Sequence, residues 1–199
     1  IISTGMSEIK ESQETVDLVK SIGTELIITH CTSAYPCPYD RINLGMIADY
    51  RERFNIPIGL SDHSQGIYTS LGAVSLGAVV IEKHFTLDKM QKGPDHPSSI
   101  EPYELGELVK GAKAVFQARG SEKAIYEEEK QIIAWARESV VSETNIKEGQ
   151  IITKDMVWVK RPSPGPGVVP AKDLKKVIGA KAVNDIPKDT QIQWGDISG

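Results

Sequence analysis

Two histidines follow apolar runs that are candidates for neighbouring strands of a parallel sheet. His63 follows the apolar run 56–60 closely, and His84 follows the run 78–81, with a short helical pattern between the two runs. Such runs are typical of buried parallel strands, whose carboxyl ends carry the functional side chains of α/β folds. We therefore expect the two imidazoles side by side at the ends of neighbouring strands.

A divalent metal ion is one ligand that two converging imidazoles could bind. Neutral imidazole nitrogens on rigid elements suit such an ion, and two of them leave positions open for substrate and water. A closed structural zinc site would need four protein ligands, so the pair suits an open catalytic site better. The alternative is that His63 and His84 are ordinary hydrogen-bonded residues at strand ends, and the residues alone leave both interpretations open.

Carboxylates accompany the histidines. Glu82 precedes His84 by two positions, so both side chains would point to the same side of that strand. Glu82 could then be a metal ligand, a base or a group that orients an imidazole, or simply pair with a neighbouring lysine. By the same alternation Asp62 faces away from Ser61 and His63, which favours a structural role for Asp62.

Loops after the strands add further candidates. Asp95 lies in a Gly-Pro-Asp-His loop past the fourth strand, although a loop aspartate also commonly forms a turn. Hydroxyl groups that could bind a phosphate or a sugar occur at Ser3, Thr4, Ser33 and Tyr35. Each of these could equally be an ordinary turn residue.

Alternating strands and helices must position these residues. Apolar strand candidates cover 1–3, 26–31, 56–60 and 78–81, and helical periodicity follows each one. Strict alternation with short connections predicts an α/β fold with a parallel sheet, either a small open sheet or half of an eight-stranded barrel. Because the chain opens within an apolar run and without methionine, we favour the half-barrel and expect the chain to be part of a longer polypeptide.

The pattern changes beyond residue 140, where short alternating runs punctuated by Gly and Pro predict a small β unit. Residues 145–152 resemble residues 185–192 at a constant offset of 40 residues, which suggests two similar arms packed around a pseudo-axis. Between the arms, the segment 159–167 is too rich in Pro and Gly for regular structure. Such a loop is typical of a spacer or a presented contact.

Composition favours an ordinary globular protein. The 199 residues are 40% hydrophobic and 25% charged, with a formal net charge of −4. This mildly acidic net charge does not indicate a nucleic-acid-binding surface, which would be rich in basic residues. No apolar segment approaches the roughly 20 residues of a membrane span. We expect no signal peptide and a cytoplasmic location. We expect reduced thiols at Cys31 and Cys37, with a disulfide between them as the alternative.

Six motifs, in order along nearly the whole chain, resemble those of the sialic acid synthases. They are Ser-Thr-Gly-Met at 3–6, His-Cys-Thr-Ser-Ala-Tyr-Pro at 30–36, Gly-Leu-Ser-Asp-His at 59–63, Ile-Glu-Lys-His-Phe-Thr-Leu-Asp at 81–88, Gly-Pro-Asp-His at 93–96 and Lys-Arg-Pro at 160–162. Enzymes of that family condense phosphoenolpyruvate with N-acetylmannosamine to give N-acetylneuraminate and phosphate. The six motifs together are far more specific than any one of them.

The resemblance implies a fold. The chain would supply strands five to eight of a (β/α)8 TIM barrel, followed by a small β-rich SAF domain, which is similar to type III antifreeze protein and has a β-clip architecture. We therefore divide the chain into a half-barrel at 1–120, a linker helix at 121–140 and the SAF domain at 141–199. The family's remaining substrate-binding residues belong to barrel strands that this chain lacks, so it would hold an incomplete active site.

The resemblance also implies residue roles. His63 and His84 would bind a divalent metal, most simply Mn²⁺, with Mg²⁺ or Co²⁺ as alternatives, and Glu82 would lie near the reacting centre. Substrate-binding roles are implied for Ser3 and Ser61 toward phosphoenolpyruvate, and for Ser33, Tyr35 and Asp95 toward the N-acetylated hexosamine.

The resemblance further implies a homodimer in which the SAF domain reaches the barrel of the partner. Arg161 would then contact the N-acyl group of the sugar in the partner's site, where the planar fork of a guanidinium group can orient a carbonyl group.

Three hypotheses remain at this point. The first is a nonulosonic acid synthase, whose acceptor could also be that of a legionaminic or pseudaminic acid synthase. The second is a non-catalytic fragment that binds sugars or assembles with a partner. The third is a barrel enzyme such as an octulosonate-phosphate synthase, which would leave the duplicated β unit unexplained.

Overall fold

The computed structural model of the chain describes residues 1–163 and 165–199. These residues form two compact units, Ile1–Ser121 and Glu122–Gly199. Pro164, in the Pro- and Gly-rich segment 159–167, lies outside the described residues. Within the described part of the chain, no helix is both long enough and apolar enough to cross a membrane.

The first unit alternates strands with helices. Its elements are β1 (Ile2–Ser3), α1 (Ile9–Ser21), β2 (Ile28–Cys31), α2 (Met46–Phe54), β3 (Ile58–Asp62), α3 (Tyr68–Leu76), β4 (Ile81–Lys83) and α4 (Pro102–Ala118), with short 3-10 turns at Tyr39–Arg41 and His96–Ser98. The strands pair in parallel in the order β1-β2-β3-β4. This confirms the predicted α/β class with the parallel sheet of a half-barrel, whereas the assignment to strands five to eight stays a prediction.

Side chains of the strands alternate between two faces. Ile58 and Leu60 of β3 pack with Phe54 of α2 in the hydrophobic core between sheet and helices. Gly59 faces the other way, where an added Cβ would lie 2.6 Å from the carbonyl oxygen of Val80. Glycine at this position therefore lets β3 and the chain leading into β4 approach each other closely.

The strand boundaries differ from the sequence prediction, most clearly at the ends of β3 and β4. The runs 56–60 and 78–81 predict strands that stop before their polar residues, yet β3 continues through Asp62 and β4 occupies Ile81–Lys83. The ladder of a parallel sheet is made by backbone groups, so pairing continues after the side chains become polar. The polar residues thus belong to the sheet itself.

The second unit is mostly β structure with short helices. Its elements are α5 (Glu127–Ala136), β5 (Ser139–Ser142), β6 (Val157–Lys160), α6 (Leu174–Val177), β7 (Lys181–Ala182) and β8 (Ile197–Ser198), with 3-10 turns at Lys154–Met156, Ala171–Asp173 and Trp194–Asp196. Strands β5 and β6 pair antiparallel, as do β7 and β8. Helix α5 lies inside the segment 121–140 that the sequence assigns to a linker helix.

The two arms predicted from the repeat face each other. Ile146 and Ile186, which are related by the offset of 40, exchange both backbone hydrogen bonds at 2.8 Å. The side chains of Asn145 and Asp185 each accept a hydrogen bond from the backbone of the opposite arm, at 2.8 and 2.9 Å. These reciprocal contacts confirm the predicted pseudo-symmetric packing.

Candidate active site

A cleft of about 330 Å³ opens at the carboxyl ends of the parallel strands. It is lined by residues that end or follow all four strands: Ser3, Gly5, Met6, Cys31, Ser33, Tyr35, Ser61, His63, Glu82 and His84. Seven of the nine site residues predicted from the sequence are in this set, and Asp95 and Arg161 are the other two. Parallel strands end at one edge of the sheet, so side chains that are distant in sequence converge there.

Side-chain alternation along β3 and β4 decides which residues face the cleft. Ser61 of β3 and His63 just after it point into the cleft, as do Glu82 of β4 and His84 just after it. Asp62 points the other way, where it bonds to residues of α3, as the alternation predicted.

His63 is buried, and the main chain holds its ring. Nδ1 lies 3.0 Å from the carbonyl oxygen of Thr32. Because a carbonyl oxygen only accepts hydrogen bonds, Nδ1 carries the hydrogen, and in the neutral form of an imidazole with this tautomer Nε2 keeps a free lone pair. This tautomer can bind a metal ion or accept a proton through Nε2. The backbone is fixed as well, since the amide of Cys37 donates to the His63 carbonyl oxygen at 2.9 Å.

The second imidazole lies against the first. The ring centroids of His63 and His84 are 5.1 Å apart, with planes at 81°. The ring of Tyr35 packs on both, with its centroid 4.2 Å from that of His63 and 5.5 Å from that of His84. Asp95, in the loop after β4, brings Oδ2 to 3.9 Å from Nδ1 of His84, which is longer than a hydrogen bond.

Ser61 and Glu82 form the one direct bond between predicted site residues of neighbouring strands among the described contacts. The Ser61 hydroxyl donates to Oε1 of Glu82 at 2.7 Å. The two residues are cross-strand partners in the ladder of β3 and β4, which explains their contact. The bond orients the Glu82 carboxylate at the cleft and engages the only hydrogen that the serine hydroxyl can donate.

Four residues of the site were not singled out from the sequence: Gly5, Met6, Cys31 and Thr32. Cys31 is buried in the cleft wall, with Sγ 3.9 Å from both Nδ1 of His63 and Oγ of Ser33. Its place at the end of a strand, two positions before Ser33, was the signal that could have found it. A Cβ at Gly5 would lie 2.3 Å from Ser33 Oγ, so a larger residue there would displace the Ser33 hydroxyl. Thr32 acts through its carbonyl group, which leaves no side-chain signal. Cys31 and the buried Cys37 are free thiols, as predicted.

Behind the cleft, Asp62 lies in a closed polar network. Its oxygens accept hydrogen bonds from the Ser64 amide and hydroxyl at 2.9 and 2.7 Å, and from the hydroxyls of Thr69 and Ser70 at 2.6 Å. The Lys83 ammonium lies 3.2 Å from Oδ2. Burial alone would raise the pKa of the Asp62 carboxyl, but these hydrogen bonds and the lysine charge together hold that pKa below its usual value.

The donor set fits a divalent metal that the protein holds by few ligands. Among the described residues, no group of three or more His, Cys, Asp or Glu side chains is arranged as a metal cage. The cleft instead offers two imidazoles, and the bond from Nδ1 of His63 to the Thr32 carbonyl oxygen leaves Nε2 facing no partner among the described hydrogen bonds. Such a pair suits an ion whose other positions are filled by substrate and water.

Arg161 belongs to the second unit and follows β6 directly. Its side chain is exposed, and within the described residues no acidic side chain forms an ion pair with it. Its predicted contact with the sugar stays a prediction.

Comparison with known proteins places both units. A protein-family model described as the NeuB family matches residues 1–124, and a model described as the SAF domain matches residues 137–198. The chain spans 54–59% of the length of the curated relatives it matches.

Relatives and a solved structure agree with these matches. An N,N'-diacetyllegionaminic acid synthase of Campylobacter jejuni is 37% identical over 97% of this chain and 58% of its own length. The human N-acetylneuraminate-9-phosphate synthase is 39% identical over 96% of this chain and 54% of its own length. The crystal structure of an N-acetylneuraminic acid synthetase from Leptospira borgpetersenii matches with a TM-score of 0.61 at 36% identity, covering 66% of this chain and 47% of that one.

The family model covers more than half of the chain, and the relatives cover nearly all of it. The chain therefore belongs to the NeuB family and ends in a SAF domain.

Proposed function

We propose that the intact protein is a nonulosonic acid synthase, which condenses phosphoenolpyruvate with N-acetylmannosamine or a related 2-acetamido sugar and releases phosphate. The observation that carries this proposal is the convergence of seven motif residues on one cleft, in a chain of the NeuB family. The acceptor sugar has several alternatives, because the relatives include a legionaminic acid synthase, a pseudaminic acid synthase and an N-acetylneuraminate-9-phosphate synthase.

His63 and His84 would hold a divalent ion, most simply Mn²⁺, with Mg²⁺ or Co²⁺ as alternatives. When bound, such an ion supplies Lewis-acid polarisation of the sugar aldehyde oxygen. The chain's own contribution is the tautomer of His63, since the bond from Nδ1 to the Thr32 carbonyl keeps Nε2 available. The ring of Tyr35 supports this role because it packs against both imidazoles and helps to fix their positions.

Ser3 and Ser61 would bind oxygens of phosphoenolpyruvate through their hydroxyl groups. A phosphate or carboxylate oxygen at Ser61 would compete with Glu82, because both are acceptors for one hydroxyl hydrogen. Binding of substrate would thus free the Glu82 carboxylate at the reacting centre, where Oε1 can accept a proton. Glu82 is exposed to the cleft, which supports such a role.

The acceptor sugar would lie against Ser33, Tyr35 and Asp95. Tyr35 and Asp95 are both exposed at the mouth, so the phenol and the carboxylate are accessible to sugar hydroxyl groups. In a homodimer, Arg161 of the SAF domain would reach the N-acyl group in the partner's site. The remaining contacts to phosphoenolpyruvate would come from residues outside this chain, since the chain spans little more than half of its relatives.

Phosphate release tests this function directly. The full-length protein is incubated with Mn²⁺, phosphoenolpyruvate and a panel of 2-acetamido sugars, and the sugar that gives phosphate and a nonulosonic acid identifies the acceptor. Absence of phosphate release with every sugar would overturn the synthase and favour a non-catalytic binding module.

The metal assignment has its own variants. His63→Ala is expected to lose more than about 100-fold in activity and to lose bound metal, as removal of an essential ligand does. His96→Ala is the matched control for metal content, because its ring contacts Thr86 at 2.8 Å and does not line the cleft. Unchanged metal content and activity in His63→Ala would overturn the assignment.

A further inference from the structure

We propose that the buried ion pair of Asp62 and Lys83 is a positioning device, which holds β3 and β4 in the register that brings His63 and His84 together. The metal part of this inference rests on the proposed function, whereas the register part stands on geometry alone. Neither residue faces the cleft, so both would act through the histidines.

The location of the pair is the first argument. Asp62 and Lys83 are direct partners in the ladder of β3 and β4, and each immediately precedes one of the two histidines. Nζ lies 3.2 Å from Oδ2, and the side chains are 3% and 0% exposed for Lys83 and Asp62. The pair therefore ties the two strands together one residue before the point where each presents its imidazole.

The other bonds of Lys83 are the second argument. Its ammonium also donates to the carbonyl oxygens of Asp62 and Ser64, the residues on either side of His63. A side chain from β4 thus holds the backbone on both sides of His63, at the end of β3 and just after it. His84 is the next residue after Lys83. The contacts of this one lysine therefore fix the main chain at His63 relative to the main chain at His84.

The chemistry of the pair is the third argument. Burying two charges costs much of what their attraction returns, and an apolar pair of similar volume often stabilises a protein as well or better. A slip of one residue in a strand turns every side chain to the opposite face. Here a slip would bring Asp62 into the cleft and leave the Lys83 ammonium buried without its counter-charge. The slipped register would therefore be much less stable than the native one. With an apolar pair at these positions, the two registers would differ less in stability.

Variants of the pair test the inference in the full-length protein. Lys83→Met removes the ammonium group and its bonds to the backbone around His63. On its own this change leaves the Asp62 carboxylate buried and unpaired, which could unfold the protein. The double variant Asp62→Asn with Lys83→Met removes that charge as well and is therefore expected to stay folded. Mn²⁺ binding is measured by calorimetry at a temperature at which each variant is folded. Both variants are expected to bind Mn²⁺ about 10- to 100-fold more weakly, the usual effect of losing a group that orients a metal ligand.

A matched control separates positioning from stability. Val16→Ala truncates a fully buried side chain of α1 and should lower thermal stability without removing any group of the Asp62–Lys83 pair or its hydrogen bonds. It is expected to keep the wild-type affinity for Mn²⁺. Equal weakening by Val16→Ala and Lys83→Met, or wild-type affinity in the double variant, would overturn the inference.

Crystal structures supply a readout that needs no metal. In the double variant the His63 and His84 ring centroids are expected to separate beyond 5.1 Å, or β4 to shift its register against β3. An unchanged separation and register would refute the positioning role. Failure of the wild-type protein to bind Mn²⁺ would count against the proposed function only, and the register would then be judged from these structures.

Discussion

The first unit buries histidines and a charged carboxylate beside its parallel strands, whereas the buried polar side chains described in the second unit are Ser139 and Ser142. Polar groups in the first unit are held by side chains from successive elements, as in the network around Asp62. In the second unit the two arms hold each other through reciprocal backbone bonds at Ile146 and Ile186.

This difference reflects what each unit must do. A site with several functional groups needs different side chains converging at one place, and buried polar groups must all find partners. Duplicated arms can instead use the same apolar packing twice. Ile152 and Ile192, which are also 40 residues apart, are both fully buried in one core. The first unit should therefore be sensitive to loss of charge, and the second to loss of apolar volume.

Asp62→Asn is expected to give the largest effect, a loss of about 3–5 kcal/mol in the free energy of unfolding of the first unit. The change leaves the Lys83 ammonium buried without its counter-charge. Hydrogen exchange measures the loss, because it resolves the amides of each unit. A loss below about 1 kcal/mol, or one confined to the second unit, would contradict the comparison.

Truncation of the arms comes next. Ile146→Ala and Ile186→Ala each remove a side chain that is no more than 2% exposed, and each should cost about 2–5 kcal/mol. Because the two isoleucines are related by the repeat, the two costs should be similar. Denaturation followed by tryptophan fluorescence measures both, since Trp135, Trp158 and Trp194 all lie in the second unit. A difference larger than about 2 kcal/mol would break the equivalence of the arms.

Acid should destabilise the first unit through Asp62. Its folded-state pKa lies below the usual value near 4, so the unfolded chain binds the proton more tightly. The stabilisation is therefore present above about pH 4 and is lost as the pH falls through the folded-state pKa. The groups that face Asp62 are the Lys83 ammonium, which stays charged in this range, and the hydroxyls of Ser64, Thr69 and Ser70.

Unfolding measured at decreasing pH checks this prediction. The wild-type protein should lose stability in the first unit more steeply than Asp62→Asn does in the same range. Identical slopes for the two proteins would assign the acid sensitivity to other groups.

Asp185→Asn is expected to have the smallest effect. The carboxylate is exposed and pairs with Lys147 at 2.7 Å, and surface pairs of this kind contribute little. Asparagine can still accept the bond from the Glu148 amide, as Asn145 does for Lys188 in the other arm. An unchanged unfolding midpoint is expected, and a loss as large as that of Asp62→Asn would erase the contrast between the units.

Local sequence patterns predicted much of this arrangement. Apolar runs and helical periodicity predicted four strands with helices between them, and the period of two predicted that Asp62 turns away from Ser61 and His63. The offset of 40 residues predicted the two arms. The strand ends were misjudged at Asp62 and Lys83, because backbone pairing does not depend on the side chain.

The sequence by itself determined which residues could share a face and which edge of the sheet they would meet at, because side-chain periodicity and strand direction are local properties. Only the tertiary structure decided which groups these side chains bind. The tautomer of His63 depends on the carbonyl group of Thr32, and the Asp62–Lys83 pair depends on the register of two strands. Hydrogen bonds to backbone groups and contacts between strands depend on the path of the folded chain, which no single stretch of sequence specifies.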